Sequence, residues 1–347
     1  MRSFSPLPTS GLLPLSLLFT IFALANGALA ADSNSTAPVD TTDPKNDPRN
    51  PLKYITNNTL TTIGLVLMII VGGLHMWLVV KTKAKYMFVL LIAELCYATG
   101  IASRYALHSN PDSSNTFIFE YLFITLAPCG FIAAEYMLLG RLVAWLKADK
   151  YLLIRPSRVT KVFVISDVVT FLIQALGGSI TVSAKTDFKK AQLGTHIVLL
   201  GLVLQLISFI FFFFMLIHFL VRIHSSERKI WTRDSGVLPM LQDWRAFAFA
   251  MFLSCVGVLV RSTYRTIELS QGPQGNLTTT EIYFWVLDFV PLYIAIGIYA
   301  IFWPANFYSR TYENTAYPLQ SQVTLAKQPY GESTQYLASY NDPRAGA

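Results

Sequence analysis

The chain reads as an all-α polytopic membrane protein: seven transmembrane helices, the amino terminus outside and the carboxyl terminus in the cytoplasm. Three observations predict this. Of its 347 residues 53% are hydrophobic and only 14% are charged, too apolar a balance for an ordinary soluble fold. The apolar residues fall in blocks of about twenty or more, the length that crosses a bilayer core of roughly 30 Å. Lysine and arginine crowd into alternate connections between the blocks, thirteen against three, and that excess marks the cytoplasmic side. The net charge of +7 is therefore an orientation signal and does not point to nucleic acid.

The first thirty residues have the pattern of a cleaved signal peptide. Arg2 precedes an apolar run from Leu12 to Ala25, and Ala28-Leu29-Ala30 offers a small-x-small cleavage site. Pro14 and Asn26 make the run a poor membrane span. Residues 31–59 are polar and aperiodic, as expected of a disordered extracellular tail. Asn34 and Asn57 begin glycosylation sequons there.

The spans follow in order: Leu60–Val80, Tyr86–Leu107, Phe119–Leu146, Val162–Val182, Thr195–Val221, Ala246–Ile267 and Ile282–Trp303. The first ends at Lys81, Lys83 and Lys85, which begin the cytoplasmic set. The second carries Glu94 and Arg104, with Tyr97 and Gly100 between. The third, long enough to tilt or protrude, carries Pro128, Glu135, Tyr136 and Arg141. Lys147, Lys150, Arg155, Arg158 and Lys161 follow it. The fourth holds Asp167, Gln174 and Gly177-Gly178, a pair suited to close helix packing, and the fifth holds Gln205 and the aromatic run Phe211–Phe214. Arg222, Arg228, Lys229, Arg233 and Arg245 complete the cytoplasmic set, whereas only Lys185, Lys189 and Lys190 lie on the opposite side. Asn276, a third sequon, falls in the last outer loop and agrees with this orientation. Residues 305–347 have the composition of a disordered cytoplasmic tail. Cys96, Cys129 and Cys255 all lie inside apolar segments, so no extracellular disulfide framework is implied.

The sixth and seventh spans are unusual. A charge in hydrocarbon costs several kcal/mol, roughly 2.5–3.5 on insertion scales, so such residues face partners, water or substrate. Arg261, Arg265 and Glu268 are spaced to share one helical face, as are Glu281 and Asp288 on the next helix. At 1.5 Å per residue Arg261 lies roughly 22 Å beyond the start of its span and Asp288 about 10 Å inside the next, close enough to pair. Arg104 joins that level. Arg265, Glu268 and Glu281 also fit a snorkelling role at the outer rim, as Arg141 does at the inner one. Glu94, Asp167 and Gln174 sit deeper. The pattern predicts a polar outer vestibule grading into an acidic, hydrogen-bonding centre, with Gln174 and Gln205 serving either that centre or interhelical hydrogen bonds.

At these residues the chain resembles the fungal RTA-like family, the lipid-translocating exporters. The matching stretches are Glu94 to Arg104, Leu126 to Tyr136 with Gly140-Arg141, Ser166 to Gly178, Gly201 to Gln205, Arg261 to Glu268, and Gly275 through Glu281 to Asp288. They run from about Leu60 to Pro304 with one block in most helices. The chain departs from the pattern at Tyr97, which is displaced in the second span, at Ala134-Glu135, and at Val290-Pro-Leu-Tyr293.

The resemblance implies a seven-helix protein of fungal plasma or internal membranes. It also implies export or flipping of sphingoid long-chain bases, resistance to amphiphilic sterols and drugs, or porphyrin handling. The expectation is a non-enzymatic lipid transporter with no cofactor and no metal, whose partners are membrane lipids or amphiphilic small molecules. Its polar-pocket candidates are Glu94, Arg104, Asp167, Gln174, Gln205, Arg261, Arg265, Glu268, Glu281 and Asp288. Carboxylates would meet a cationic amine and apolar walls would take the chain.

Two other classes fit less well. A seven-helix receptor matches the helix count and topology, but Gly140-Arg141-Leu142 lacks an acidic residue before the Arg and the last span lacks Asn-Pro-x-x-Tyr. An intramembrane metal hydrolase needs clustered histidines. His75, His108, His196, His218 and His224 are scattered, with none in the last two spans. A retinal pump is excluded because the last span has no Lys.

Overall fold

A computed structural model describes residues 44–47, 50–154, 156–184, 187–226, 231, 243–272 and 274–308. The signal-peptide segment, Asn34 and residues 309–347 lie outside the described residues. Seven helices are long and apolar enough to cross a membrane, and no strand occurs among the described residues. Residues 304–347 form a unit of their own, whose described part includes the single helical turn Ala305–Tyr308.

Local chemistry sets the helix ends. Helix α1, Asn58–Thr82, begins where the Asn57 side chain accepts from the amides of Thr59 and Leu60, which satisfies two orphan donors of the first turn. It stops at Lys83 in the left-handed region, φ 54°. Helix α2 is Phe88–Ser109, entered through the 3-10 turn Lys85–Met87. Helix α3, Ser114–Leu146, is capped by Ser113 and ends at Lys147, again left-handed at φ 53°. Helices α4, Pro156–Ser183, and α5, Phe188–Ser226, follow. Helix α6, Trp244–Ser270, starts at Asp243, whose side chain accepts from the Arg245 amide. Burial opposes ionisation of Asp243, but hydrogen bonds from the Arg245 side chain and backbone prevail and hold its carboxyl below the usual carboxylate range.

Helix α7, Glu281–Ile301, contains a π-helical segment, Phe284–Phe289, with Pro291 just after it. Proline has no N–H and its ring crowds the carbonyl four residues earlier, so an ordinary α-turn cannot continue there. The widened turn relieves that conflict, and Asp288 sits within it.

The helices pack in chain order as a ring: α1 against α2, α2 along α3, α3 against α4, α4 along α5, α5 against α6, α6 against α7, and α7 back against α1. Helix α3 also touches α6 and is the most buried of the seven. Close approach needs small residues. A Cβ on Gly100 would lie 2.7 Å from Ile124 Cγ1, so this glycine lets α2 and α3 meet. Of the pair expected to pack closely, Gly177 does so: a Cβ there would come within 2.6 Å of the Val198 amide on α5, whereas Gly178 faces open space.

The outward faces are apolar. On α4 the exposed residues Ile165, Val169, Leu172 and Leu176 recur at three- and four-residue spacing, a stripe matched to hydrocarbon. The aromatic run divides, Phe212 being buried while Phe211 and Phe214 are exposed.

Candidate functional site

The starts of α1, α3 and α7 and the ends of α2 and α6 lie at one end of the bundle, and the charged residues converge there. Arg104 is 1% exposed. It donates to Glu120 at 2.6 Å, to Glu281 at 2.8 Å and to the Tyr54 hydroxyl at 3.1 Å, and its guanidinium lies 4.3 Å from the Phe284 ring centre. Glu281 also accepts from the Asn57 amide at 2.9 Å and from the Trp285 indole at 3.1 Å. Residues 54–57, read from sequence as part of the tail, are thus tied to the bundle. The Thr56 hydroxyl adds a 2.9 Å bond to the Arg104 carbonyl. Burial pushes the Tyr54 phenol up to about 12, against the pull of Arg104, so it stays a neutral donor or acceptor.

Beside this group Asp288, fully buried, is the acceptor for three side chains. Arg265 Nε donates to Oδ1 at 2.6 Å, Arg261 Nε lies 3.1 Å from the same oxygen, and the Tyr97 hydroxyl donates to Oδ2 at 2.9 Å. Arg265 also pairs with Glu268 at 3.1 Å, and Glu268 accepts from Tyr264 at 3.1 Å. The remaining reach of Arg261 goes to a backbone group, because its Nη2 donates 2.9 Å to the Ile124 carbonyl. That carbonyl is free because its helical donor would be the N–H of residue 128, and residue 128 is proline. One proline on α3 therefore positions a cation of α6.

Two sequence expectations change here. The charges do not line an open outer vestibule. They neutralise one another in a buried cluster of three guanidiniums and four carboxylates, since an unpaired charge in this setting costs several kcal/mol. Arg265, Glu268 and Glu281, given a rim role by hydropathy, belong to that cluster, with side chains only 17%, 18% and 12% exposed.

Deeper in the bundle the polar residues form separate groups. His75 Nδ1 lies 2.5 Å from Glu94, joining α1 to α2, and the imidazole stacks on Trp303 at 5.7 Å. Glu135 Oε1 accepts from Ser254 at 2.5 Å and Tyr299 at 2.6 Å, linking α3, α6 and α7. Gln174 donates to Gln205 at 2.9 Å, and Gln205 donates to Cys129 at 3.3 Å. Asp167 stands next to this last group, bordering a small cavity. Arg141 lies 3.9 Å over the Tyr86 ring. Among the described residues no group of three or more His, Cys, Asp and Glu is placed to hold a metal ion.

The sequence reading missed Glu120, Tyr54, Ser254, Tyr299 and the pairing of His75. Only Glu120 had a clear signal, an acid inside Phe117–Phe123. The others are common residue types whose importance is set by what packs against them.

A second feature adjoins the charged cluster. An apolar cavity of about 410 Å³ opens between α6 and α7, lined by Val256, Leu259, Val260, Thr263, Tyr264, Ile267, Leu277 and Leu287. Tyr264 belongs both to its wall and to the chain Tyr264–Glu268–Arg265–Asp288.

Fold and site define a class: a seven-helix integral membrane protein whose polar chemistry is carried by buried clusters of ionisable side chains between helices. Within that class the chain belongs to the RTA1-like protein family, whose pattern matches residues 90–311. It is 26% identical to Protein RTA1 of Saccharomyces cerevisiae over 229 residues, covering 65% of this chain and 68% of that one. It is 27% identical over 268 residues to the sphingoid long-chain base transporter RSB1 of the same species, covering 69% and 70% of the two chains. It is 28% identical over 204 residues to protoporphyrin uptake protein 1, again from Saccharomyces cerevisiae, covering 59% and 64%. No solved structure matches the chain.

Proposed function

We propose that this protein is a non-enzymatic transporter of amphiphiles, with sphingoid long-chain bases as the foremost substrate class, acting in the fungal plasma membrane with its amino terminus outside. The observation that carries the reading is the apolar cavity between α6 and α7 backed by the charged cluster through Tyr264. Its volume is in the range of small-molecule sites, and its wall suits a hydrocarbon chain. The cluster holds one more carboxylate than guanidinium. Its most exposed acid, Glu268, hydrogen-bonds to the Tyr264 hydroxyl of the cavity wall. A cationic amine carried on a long chain would place its charge at Glu268 and its tail in the cavity. The printed names of two relatives, a long-chain base transporter and a porphyrin uptake protein, support an amphiphilic cargo.

The test is export of a labelled long-chain base from cells expressing the protein. Wild type should lower retained label several-fold relative to cells without it. Leu259→Trp, which fills the cavity without touching an ion pair, should remove most of that difference at equal surface expression. Equal retention with and without the wild-type protein would refute the reading.

A further inference from the structure

The buried acids are not equivalent. Asp288 is held by two guanidiniums and a phenol, Glu94 by an imidazole, and Glu135 by two hydroxyls. Asp167, only 3% exposed, has no hydrogen-bond partner on either carboxylate oxygen and no ion pair. Among the described residues it is the one buried carboxylate of which this is true. It borders a cavity of about 30 Å³ between α3 and α4, otherwise lined by Leu126, Cys129, Ala133, Val164, Val168 and Phe171.

The groups facing it settle what it can bind. From α3 come the Cys129 thiol and the Tyr136 hydroxyl; the latter approaches Asp167 without reaching hydrogen-bond geometry and is itself unpartnered. From α5 comes only the neutral Gln205 amide, engaged with Cys129, and the Phe212 ring against Tyr136. No cation balances the carboxyl. A bare carboxylate in such surroundings is too costly to persist, and the group takes up a proton instead. A metal cation needs several oxygen ligands, and this wall offers none beyond Asp167 itself. A sphingoid headgroup is too large for a space that accommodates a water molecule. A proton fits every one of these limits.

We propose that Asp167 is a proton-exchange site: it carries a proton in the conformation seen here and releases it when α3 and α4 part enough to admit water. As a piece of transport machinery this rests on the transport reading above; as a site of protonation it does not. Intramembrane acids lying between helices are the usual seats of proton relay.

Two measurements test it. The purified full-length protein is treated with dicyclohexylcarbodiimide, an apolar reagent that adds to protonated carboxyls, over a series of pH values, and modified residues are mapped by mass spectrometry. Modification of Asp167 should be strong at low pH and fall several-fold more steeply with rising pH than that of other carboxyls in the same sample. Asp167 left unmodified throughout, or modified equally at all pH values, overturns the proposal.

In proteoliposomes, uptake of a labelled long-chain base should respond several-fold to an imposed pH gradient. Asp167→Asn should abolish that response and Asp167→Glu should restore it. A full gradient response in Asp167→Asn overturns the coupling. If the wild type moves no base at all while Asp167 still labels in a pH-dependent way, the transport reading fails and the proton site stands.

Discussion

Asp288 shows how one carboxylate can hold two cations where solvent cannot reach. Its two oxygens accept from Arg265 and Tyr97 while Arg261 lies within ion-pair distance, so the desolvation of the acid is offset by charge on two sides. Removing its charge would leave two guanidiniums facing each other in a buried site, and breaking a buried pair from one side costs about 3–5 kcal/mol. Asp288→Asn should therefore lower stability by that amount in thermal or denaturant unfolding of the purified protein. Arg265→Gln added to Asp288→Asn should recover part of the loss. A full-sized, additive effect of the second change would show that the two residues do not interact. The Arg261–Asp288 pairing was legible from spacing because both residues lie at a computable depth. The role of Arg265 was not. Depth along a straight helix places a residue relative to the membrane, but it does not count how many donors one carboxylate can accept.

At the scale of elements two prolines shape the site. Pro128 leaves the Ile124 carbonyl without its helical donor and Arg261 supplies one. Pro291 follows the π-helical turn that contains Asp288. Both prolines are visible in the sequence. What a freed carbonyl finds as a partner depends on which helix comes alongside, and Gly100 decides that for α2 and α3 only by letting them touch. The arrangement predicts energetic coupling between helices. Pro128→Ala returns an N–H to the Ile124 carbonyl and makes the contribution of Arg261 there redundant. In a double-mutant cycle with Arg261→Lys, whose single ammonium cannot serve both Asp288 and the carbonyl, we expect a coupling energy of about 0.5–3 kcal/mol, as is usual for residues sharing a partner. Additive unfolding energies would mean that Arg261 is held by Asp288 alone.

Over the whole molecule the number of spans was legible because bilayer thickness sets a minimum length for every apolar block. The helix ends were less so. Helix α5 runs for 39 residues, about 58 Å at 1.5 Å per residue, well beyond the 27 residues of Thr195–Val221 that hydropathy marks. Hydropathy sees the part that meets lipid, whereas backbone hydrogen bonding carries the helix onward into water. Direction across the membrane is a separate property that a bundle of helices does not itself reveal. It rests on the charge of the connections: Lys81, Lys83 and Lys85 follow α1 on one side, while the sequon at Asn276, exposed at the start of the single turn Asn276–Thr279, lies on the other. If the amino terminus is outside, Asn276 meets the glycosylation machinery and Lys83 faces the cytosol. Asn276→Gln should then run faster than wild type on a gel by the mass of one glycan, a difference erased by glycosidase. A cysteine placed by Lys83→Cys should react with a membrane-impermeant thiol reagent only after cells are permeabilised. The opposite pair of results, unchanged mobility together with labelling of intact cells, would invert the bundle. It would also put the charged cluster and the cavity beside it at the cytoplasmic face, where an exporter would load its cargo instead of releasing it.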